Sequence, residues 1–536
     1  MKKLALALAV VLVAAGLATS GSASASGSGW TATKTQGLAL SGTDDGPAAA
    51  ATPLHIAVAL QLRNAAALQQ SIRSRAKLTP AQFRAQYAPA AADVQRVVSY
   101  LRQEGLTNVQ PTANDLFVTA DATAKTAGAA FDTALEQWTV KGASYYANTT
   151  SAEVPSTLGD VVLSVLGLND AATMHTTATS LPNYPTSYTP QGFWKAYDVG
   201  STSSGSNTTI AIFGSGDMSG VVSDLRTEES ADGLPQVPVN VVYAGLVTPQ
   251  SGDAPDEWDM DTQFSSGMAG DVAGLTIYSA SSLTDSDLAL AFNRFASDDT
   301  AQAGSASFGE CEYQSYLDGS MVAWDQVFAE AAAQGQTVFA SAGDTGGFCP
   351  VVPDNGVPAG APDVNYPASS PYVVSVGGTT LLTSSDGSYD AETAWVAGGG
   401  GPSIFELQPY WQGGVAPPTG SACVEYVACP GKTLPDVAMD ADPESGADVY
   451  IAGQPEGVGG TSLSSPLALG VWARLESGHA NGLGFAAPAL YAKAGSAGFH
   501  DIVLGDTGPY PATPGYDLAT GLGTFDVAAM NGVLGS

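Results

Sequence analysis

The sequence predicts an α/β fold, in which a parallel sheet has helices on both faces, preceded by a small α+β domain. From residue 208 onward, short β-branched stretches alternate with helical ones, as in sheets built from strand–helix units. These stretches are almost continuously apolar, which is typical of strands buried on both faces. Residues 52–167 carry a different pattern of helices and short strands, and a Thr/Ser/Pro-rich connector over residues 173–190 follows them.

The first 25 residues read as a secretory signal peptide. Lys2 and Lys3 precede an apolar run from Leu4 to Leu17, and small residues ending in Ala23-Ser24-Ala25 follow. A basic start, a short apolar run and an A-x-A site are the marks of such a peptide. The run is shorter than the roughly 20 residues that cross a bilayer, and no later segment is long and apolar enough. We therefore expect a secreted, extracellular protein with no membrane contact.

Residues 26–180 are predicted to form a propeptide, an α+β domain ending in the connector. Residues 27–50 are rich in small and polar residues and predict a loose N-terminus. Thr79 is a candidate helix cap with Pro80 at the first helical position, and a second helix is expected over Ala90–Glu104. Short strands are expected around Leu116–Thr119 and Trp138–Val140, with a helix between them. The connector reads as an exposed linker that a protease could cut.

Residues 181–536 are predicted to form the catalytic domain. Catalytic groups in parallel sheets gather at the carboxyl ends of the strands. The predicted strands are Thr208–Phe213, Val239–Tyr243, Leu275–Tyr278, Ala303–Phe308, Thr337–Ala342 and Val373–Val376, and the predicted helices are Glu257–Met268, Asp285–Ala296 and Met321–Gln334.

Charge separates the two domains. The chain has a net charge of −33, and residues 181–536 hold 6 Lys/Arg against 40 Asp/Glu. So large an excess of negative charge excludes nucleic acid and anionic membranes as partners. Carboxylates have ordinary pKa values near 4, so acid relieves their repulsion. We interpret the excess as adaptation to acid; an acidic halophilic surface is the alternative.

The four cysteines allow three disulfide pairings, which export permits. Cys423 and Cys429 are close enough to close one loop, which leaves Cys311 with Cys349 as the preferred second pair. No C-x-x-C pattern occurs, and this disfavours a zinc site.

Ser462 is the candidate nucleophile. It lies in Gly459-Gly460-Thr461-Ser462, directly before an apolar helix over Leu467–Leu475. Backbone N–H groups and the helix dipole favour developing negative charge at such a place. The alternative is that Ser462 only caps the helix.

A histidine base is not available to Ser462. The four histidines, His55, His175, His479 and His500, all lie in settings unlike a catalytic triad. Carboxylates are the remaining candidates: Glu257 and Asp261 are four residues apart and share one helix face. Crowding of two like charges raises one pKa, and a Glu tuned in this way can take and return the serine proton. The alternative is a solvated acidic face.

Asp344 is the third candidate carboxyl. The apolar strand Phe339-Ala340-Ser341-Ala342 is followed by Gly343 and then by Asp344. A Gly-rich turn comes directly after Asp344. A protonated Asp there could donate a hydrogen bond to a tetrahedral oxyanion. An ordinary turn aspartate is the alternative.

Taken together, these motifs resemble the sedolisin family of serine-carboxyl peptidases over about residues 50–534. E-W-x-x-D at Glu257, S-x-G-D at Ser341 and G-T-S-x-x-x-P at Gly460 occur in the family's order. The resemblance implies a subtilisin-like fold with a propeptide. It also implies that Ser462 is the nucleophile, Glu257 its base, Asp261 the residue that orients Glu257, and Asp344 the oxyanion donor. The segments Pro367–Tyr372, Gly398–Gly401 and Pro435-Asp436-Val437 also look like family segments, and Phe308-Gly309-Glu310 is a candidate wall of the cleft.

The resemblance further implies one structural Ca²⁺ site near the C-terminus. Asp501 and Asp517 would supply carboxylates, and Ile502, Thr513 and Gly515 would supply backbone carbonyls. Ca²⁺ prefers such an all-oxygen set. Thr513 stands where relatives often have Gly, but a carbonyl ligand does not depend on the side chain. The alternative is a pair of turn aspartates.

We therefore predict a secreted, monomeric, acid-active serine-carboxyl endopeptidase that acts on polypeptides. Its own propeptide is expected to block the cleft until the zymogen cleaves itself in acid. A tripeptidyl peptidase of the same family and a catalytically inactive, calcium-stabilised binding homologue are the alternatives. A glycosidase using Glu257 with another carboxylate is a rival from a different class.

Overall fold

The computed structural model describes residues 29–176, 178–180, 187–245, 255–348, 362–419 and 429–535. The predicted signal peptide lies outside these ranges. So do Cys349 and Cys423; Cys311 and Cys429 are described and are not free, so which cysteines pair stays a prediction. None of the helices within the described ranges combines the length and the apolar character that crossing a membrane requires.

The predicted parallel sheet is present and forms the centre of the peptidase domain. In the described part of the chain it has eight strands, and Tyr389–Ala394 is antiparallel to its neighbour while the other strands pair in parallel. Across the sheet the order is Val239–Tyr243, Val272–Ala280, Gly205–Ser215, Ala303–Ala306, Thr337–Ser341, Val373–Thr383 and Tyr389–Ala394, with Val437–Asp440 also paired to Val373–Thr383.

Helices cover both faces of this sheet. Ser305 lies beside Ile212 in the parallel register, and its hydroxyl is hydrogen-bonded to Ser465 at 2.7 Å. Phe213 is the next residue along its strand and packs on Phe292, with ring centroids 4.5 Å apart. Because successive strand residues point to opposite faces, the helices that carry Ser465 and Phe292 lie on opposite sides of the sheet. The α/β fold class is confirmed.

The remaining elements of the peptidase domain surround this sheet. Its helices are Pro190–Ala196, Ser219–Asp232, Pro255–Ala269, Asp285–Asp298, Glu312–Asp318, Ser320–Gln334, Thr461–Gly478, Ala486–Tyr491 and Val527–Leu534, with a 3₁₀ turn at Pro443–Ser445. Its shorter strands are Phe308–Cys311, Asn365–Tyr366, Gly401–Leu407, Gly431–Leu434, Ala447–Ile451, Gln454–Gly459, Phe499–His500 and Thr524–Phe525.

The N-terminal domain is α+β, as predicted. Thr79 caps its helix, and the Gln82 N–H donates to the Thr79 hydroxyl at 3.2 Å. The helices are Ala65–Arg73, Pro80–Gln86, Ala91–Gln103 and Ala124–Ala130. A four-stranded antiparallel sheet runs in the order Thr107–Pro111, Phe117–Thr123, Pro53–Leu60 and Val162–Leu166, and a three-stranded sheet runs in the order Thr43–Pro47, Leu135–Val140 and Ala143–Asn148.

The prediction of a loose segment over residues 27–50 is wrong for its described part. Trp30–Ala32 pairs with Glu153–Pro155, and Thr43–Pro47 pairs with Leu135–Val140. Both partners lie about a hundred residues away in sequence. A composition of small and polar residues does not reveal that backbone amides find such distant strand partners.

The strand Pro53–Leu60 joins the two domains. Ile56 and Val58 are buried in the hydrophobic core of the N-terminal domain, whereas Ala57 and Ala59 pack into the core of the peptidase domain. Because alternate strand residues face opposite sides, one face of this sheet holds its own domain together and the other docks on the peptidase.

The connector is not a fully exposed linker, which corrects that prediction. His175–Thr176 pairs with Phe308–Cys311, and Thr179–Ser180 pairs with Gln454–Gly459. Among the connector residues whose burial is described, His175, Thr179 and Ser187 are exposed as expected. The predicted strand Ala303–Phe308 is also divided, since Ser307 separates Ala303–Ala306 from Phe308–Cys311.

Candidate active site

The helix Thr461–Gly478, here named the nucleophile helix, positions Ser462. Gly460 precedes it with φ 111° and ψ 164°, a backbone conformation that essentially only glycine adopts. The helix therefore begins at Thr461, and Ser462 lies in its first turn. Ser462 is fully buried, and Gly460 rather than Ser462 occupies the cap position, so the capping alternative is wrong.

The helix Pro255–Ala269 brings Glu257 and Asp261 into the same buried site, and neither is a solvated surface acid. Burial raises the pKa of Glu257 well above its ordinary value, and the charge of Asp261 raises it further. The nearby Ser462 hydroxyl lowers the pKa of Glu257 in part. Burial likewise raises the pKa of Asp261. The three residues therefore form one contiguous site.

Asp344 reaches the site from the end of the strand Thr337–Ser341. Its Oδ1 accepts hydrogen bonds from the Thr461 N–H (2.8 Å) and the Thr461 hydroxyl (2.7 Å), next to Ser462. Burial raises the pKa of Asp344 to about 7. Its Oδ2 is buried and has no hydrogen-bond partner among the described residues. The preceding Gly343 has φ 107°, and a Cβ there would overlap the Asn365 amide.

The sequence reasoning missed two residues of the site, Ser307 and Thr461. The Ser307 hydroxyl donates to Asp261 Oδ1 at 2.5 Å, and the Ser307 carbonyl oxygen lies 3.3 Å from Ser462 Oγ. Thr461 holds Asp344 as described above. A usable signal for Ser307 was its place at the carboxyl end of a predicted strand, where catalytic groups gather.

The four histidines lie in other surroundings. His55 is 2.8 Å from Asp121 in the N-terminal domain, and His175 belongs to a connector strand. His479 follows the far end of the nucleophile helix, and the ring of His500 stacks on Tyr389. The arrangement therefore agrees with a carboxyl rather than an imidazole as the partner of Ser462.

The residues expected to bind calcium come together in one loop region. The Gly515 N–H donates to both oxygens of Asp501 (3.1 and 3.0 Å), and the Thr513 N–H donates to Asp517 Oδ2 at 2.7 Å. Ile502 is buried at 2% exposure. Two carboxylates and the backbone of one loop thus lie close together, and this oxygen-only set fits Ca²⁺ chemically.

Comparison with known proteins identifies the family. Residues 41–171 match the family model of the pro-kumamolisin activation domain, and residues 244–490 match that of the subtilase family. The chain is 37% identical over 532 residues to sedolisin from Pseudomonas sp. (strain 101). This match covers 91% of this chain and 88% of that protein. It is also 34% identical over 550 residues to xanthomonalisin from Xanthomonas sp. (strain T-22). This second match covers 89% of this chain and 65% of that protein.

A solved structure supports the same assignment. Pseudomonas sedolisin, a serine-carboxyl proteinase complexed with two molecules of pseudo-iodotyrostatin, superposes with a TM-score of 0.60 at 36% identity. The match covers 66% of this chain and 99% of that one. The central parallel sheet described above is accordingly a subtilisin-like sheet. The chain belongs to the sedolisin family of serine-carboxyl peptidases, with an activation domain in front of the peptidase domain.

Proposed function

We propose that this protein is an exported, acid-active endopeptidase in which Ser462 is the nucleophile and Glu257 its general base. The observation that carries the proposal is that the Ser462 hydroxyl lies close enough to the Glu257 carboxyl, inside a fully buried site, to lower the pKa of that carboxyl. A carboxyl with an ordinary pKa is a poor acceptor for a hydroxyl proton. Burial and the nearby Asp261 raise the pKa of Glu257, which makes it a stronger base.

In the proposed reaction Ser462 Oγ attacks the peptide carbonyl while its proton passes to Glu257. The same proton is then given to the leaving amine, and water hydrolyses the acyl-enzyme by the reverse route. Asp261 is a positioning residue: the Ser307 hydroxyl donates to its Oδ1 at 2.5 Å, which fixes the carboxyl group next to Glu257.

Asp344 is proposed to stabilise the oxyanion. Thr461 anchors its Oδ1, so the buried Oδ2 is the oxygen available to carry a proton and donate it to a substrate. A carboxyl with a pKa of about 7 is protonated throughout the acid range. A prepositioned donor of this kind contributes most where water is excluded.

The N-terminal domain is proposed to act as an intramolecular inhibitor, and the chain is proposed to be a zymogen. Its residue Asn114 donates to Glu330 Oε2 at 2.6 Å and to Asn293 at 2.7 Å, and all three are buried. The Leu78 N–H donates to the Ala333 carbonyl oxygen at 2.9 Å. These contacts belong to the docking surface that is proposed to keep the connector over the active site until it is cut.

We also propose one structural Ca²⁺ held by the carboxylates of Asp501 and Asp517 and by the carbonyls of Ile502, Thr513 and Gly515. When bound, the ion would supply positive charge to a chain that is otherwise strongly acidic. Asp517 already accepts hydrogen bonds from the Ala519 and Thr520 amides, so its orientation is fixed. The expected contribution is to stability, not to the chemical step.

The variant Ser462→Ala tests the proposed mechanism. We expect it to abolish both self-processing and hydrolysis of denatured protein at about pH 4, because no other group supplies the acyl-enzyme oxygen. The matched control is Ser464→Ala, since Ser464 is buried in the same helix but its hydroxyl donates to the Met439 and Asp440 carbonyl oxygens. Gel analysis and mass spectrometry of the products provide the measurement.

The outcome of the same assay separates the alternatives. Unchanged processing in Ser462→Ala would contradict the assignment, and hydrolysis of a polysaccharide but not of protein would favour a glycosidase. Products of many lengths indicate an endopeptidase, whereas tripeptides alone would indicate a tripeptidyl peptidase. A folded wild-type protein that neither processes nor hydrolyses protein would be an inactive binding homologue.

A further inference from the structure

Two short described stretches of the connector pair with strands that border the active site. On one side of the site His175 and Thr176 pair antiparallel with Gly309 and Phe308. On the other side Thr179 and Ser180 pair antiparallel with Gly459 and Val458. Both peptidase strands adjoin residues of the site, because Phe308 follows Ser307 and Gly459 precedes Gly460-Thr461-Ser462. The connector is thus held on both sides of the catalytic residues.

This arrangement is how a peptide substrate adds to a sheet edge. Main-chain hydrogen bonds to two edges fix an extended chain and its register. Between the two paired stretches, the Ala178 N–H donates to Glu257 Oε2 at 2.9 Å. That nitrogen is the amine that would leave if the peptide bond between residues 177 and 178 were cut. The carboxyl proposed to protonate a leaving amine therefore lies within hydrogen-bond reach of this one.

From these contacts we infer that the Thr177–Ala178 bond is the first bond that the enzyme cuts, in its own chain. This inference rests on the proposed function and specifies the substrate of the same site. It also assigns the subsites: Phe308 and Gly309 hold the residues before the cut bond, and Val458 and Gly459 hold those after it.

The step balances with groups already in the site. Ser462 Oγ bonds to the carbonyl carbon of residue 177 and its proton moves to Glu257. The bond from that carbon to Ala178 N breaks, and the proton moves from Glu257 to the nitrogen. Water then adds to the ester, which leaves a carboxyl group on residue 177 and restores the Ser462 hydroxyl. No other reactant is needed.

The test uses the full-length chain, acidified briefly to about pH 4, where ordinary carboxyls are half protonated. The reaction is quenched at short times and the products are identified by intact mass and N-terminal sequencing. We expect the earliest pair of fragments to end at Thr177 and to begin at Ala178. A first pair that meets at any other bond would overturn the inference.

Three variants sharpen the result. Ala178→Pro has no N–H to donate to Glu257, and we expect the cut at this bond to slow at least about 100-fold. Ala178→Gly keeps the N–H and should still be cut at this bond. Ser187→Pro, at an exposed position further along the connector, should be cut as in the wild type. An unchanged rate and site in Ala178→Pro would contradict the inference.

Failure of this inference is distinguishable from failure of the proposed function. If the wild type cuts first elsewhere while Ser462→Ala stays intact, the bond assignment is wrong and the mechanism stands. If Ser462→Ala is processed like the wild type, the mechanism itself is wrong. A trace of mature wild-type enzyme added to Ala178→Pro should release active peptidase from it, which shows that this variant is folded.

Discussion

Single buried carboxyl groups dominate the chemistry of this site. Loss of water raises the pKa values of Glu257, Asp261 and Asp344, and each of them can therefore hold a proton in acid. An imidazole has an ordinary pKa near 6.5, so at pH 4 it carries a positive charge, whereas a protonated carboxyl is neutral. A buried carboxyl can therefore hold its proton in acid without adding a charge to the site.

Asp344 is expected to set the upper pH limit of catalysis. With its pKa raised to about 7, it is protonated below that value and loses its proton as the pH rises through it. The donor to the oxyanion is then lost, and kcat/KM of the mature enzyme should fall through an inflection near pH 7. Asp344→Ala, which removes the donor at every pH, should lower kcat by about 10²–10³-fold.

Asp344→Asn is the matched variant for this pH profile. An amide keeps an acceptor for Thr461 and a donor in place of Oδ2, and it does not titrate. We expect the inflection near pH 7 to disappear in this variant. A pH profile of kcat/KM with the same inflection in the wild type and in Asp344→Asn would assign that titration to another group.

At the scale of elements, the entry to the nucleophile helix is constrained by its backbone. Gly460 has φ 111°, and the Gly460 N–H donates to the Ala441 carbonyl oxygen at 2.6 Å, which holds the turn against the strand end. Because Ser462 lies two residues after Gly460, the conformation of this turn determines where Ser462 is placed. The position of the candidate nucleophile therefore depends on the backbone of a neighbouring glycine.

Gly460→Ala should lower both stability and activity. A side chain in this conformation costs about 1–3 kcal/mol, and relief of that strain would move Ser462. We expect a lower melting temperature at pH 4 and a fall in kcat larger than the change in KM. The control is Gly532→Ala, a position inside the last helix where a Cβ meets nothing within 4 Å. That change should be neutral or stabilising. Equal effects of both substitutions would contradict the argument.

The loop that carries Thr513 and Gly515 is expected to depend on calcium. We expect chelation to lower the melting temperature of the processed enzyme, because a ligand that binds only the folded state stabilises it. Asp501→Asn removes one carboxylate, so it should lower the melting temperature and reduce the further effect of chelator. Calorimetry at constant pH, with calcium returned in excess, provides the measurement. A melting temperature indifferent to chelator and calcium would exclude the site.

At the scale of the whole molecule, buried acids link stability to pH. Burial raises the pKa of Glu228 to about 9, and the charges of Asp232 and Glu229 add to the effect. Burial also raises the pKa values of Asp259, Glu312 and Glu330 to about 8. These groups lie in different helices, so the effect is distributed over the fold. The protonated forms are the ones that the folded chain accommodates.

Stability should therefore decrease as the pH rises from about 4.5 toward 8–9. A folded carboxyl with a raised pKa contributes stability in full below its unfolded pKa. That contribution is lost as the pH rises through the folded value, by up to about 1.4 kcal/mol per pH unit and group. Glu228→Gln is neutral at every pH, so it should be more stable than the wild type at pH 7 and similar to it at pH 4.

Thermal unfolding of the Ser462→Ala chain from pH 4 to pH 8 measures this effect without self-digestion. Salt provides the control, because it screens surface repulsion but not burial. Recovery of the full stability at pH 7 by salt alone would support the halophilic interpretation of the negative charge. A melting temperature independent of pH would contradict both interpretations.

The sequence by itself determined the fold class and indicated the candidate site residues. Two local patterns were enough: near-continuous apolar strands such as Val239–Tyr243, and the four-residue spacing of Glu257 and Asp261. Local patterns of this kind can be read directly from the amino-acid sequence. None of the histidines lies in sequence surroundings typical of a catalytic triad, and this local observation argued against a Ser-His-Asp enzyme. Ser462 was identifiable because glycines and a helix start surround it in sequence.

Only the tertiary structure decided what surrounds these residues. Burial of Glu257 and Asp261, the bridging hydroxyl of Ser307 and the course of the connector past Ala178 all join segments that are far apart in the chain. Such contacts depend on how strands and helices pack, and no local pattern records that packing. The pKa shifts follow from burial, and the substrate-like register of the connector follows from strand pairing across the site.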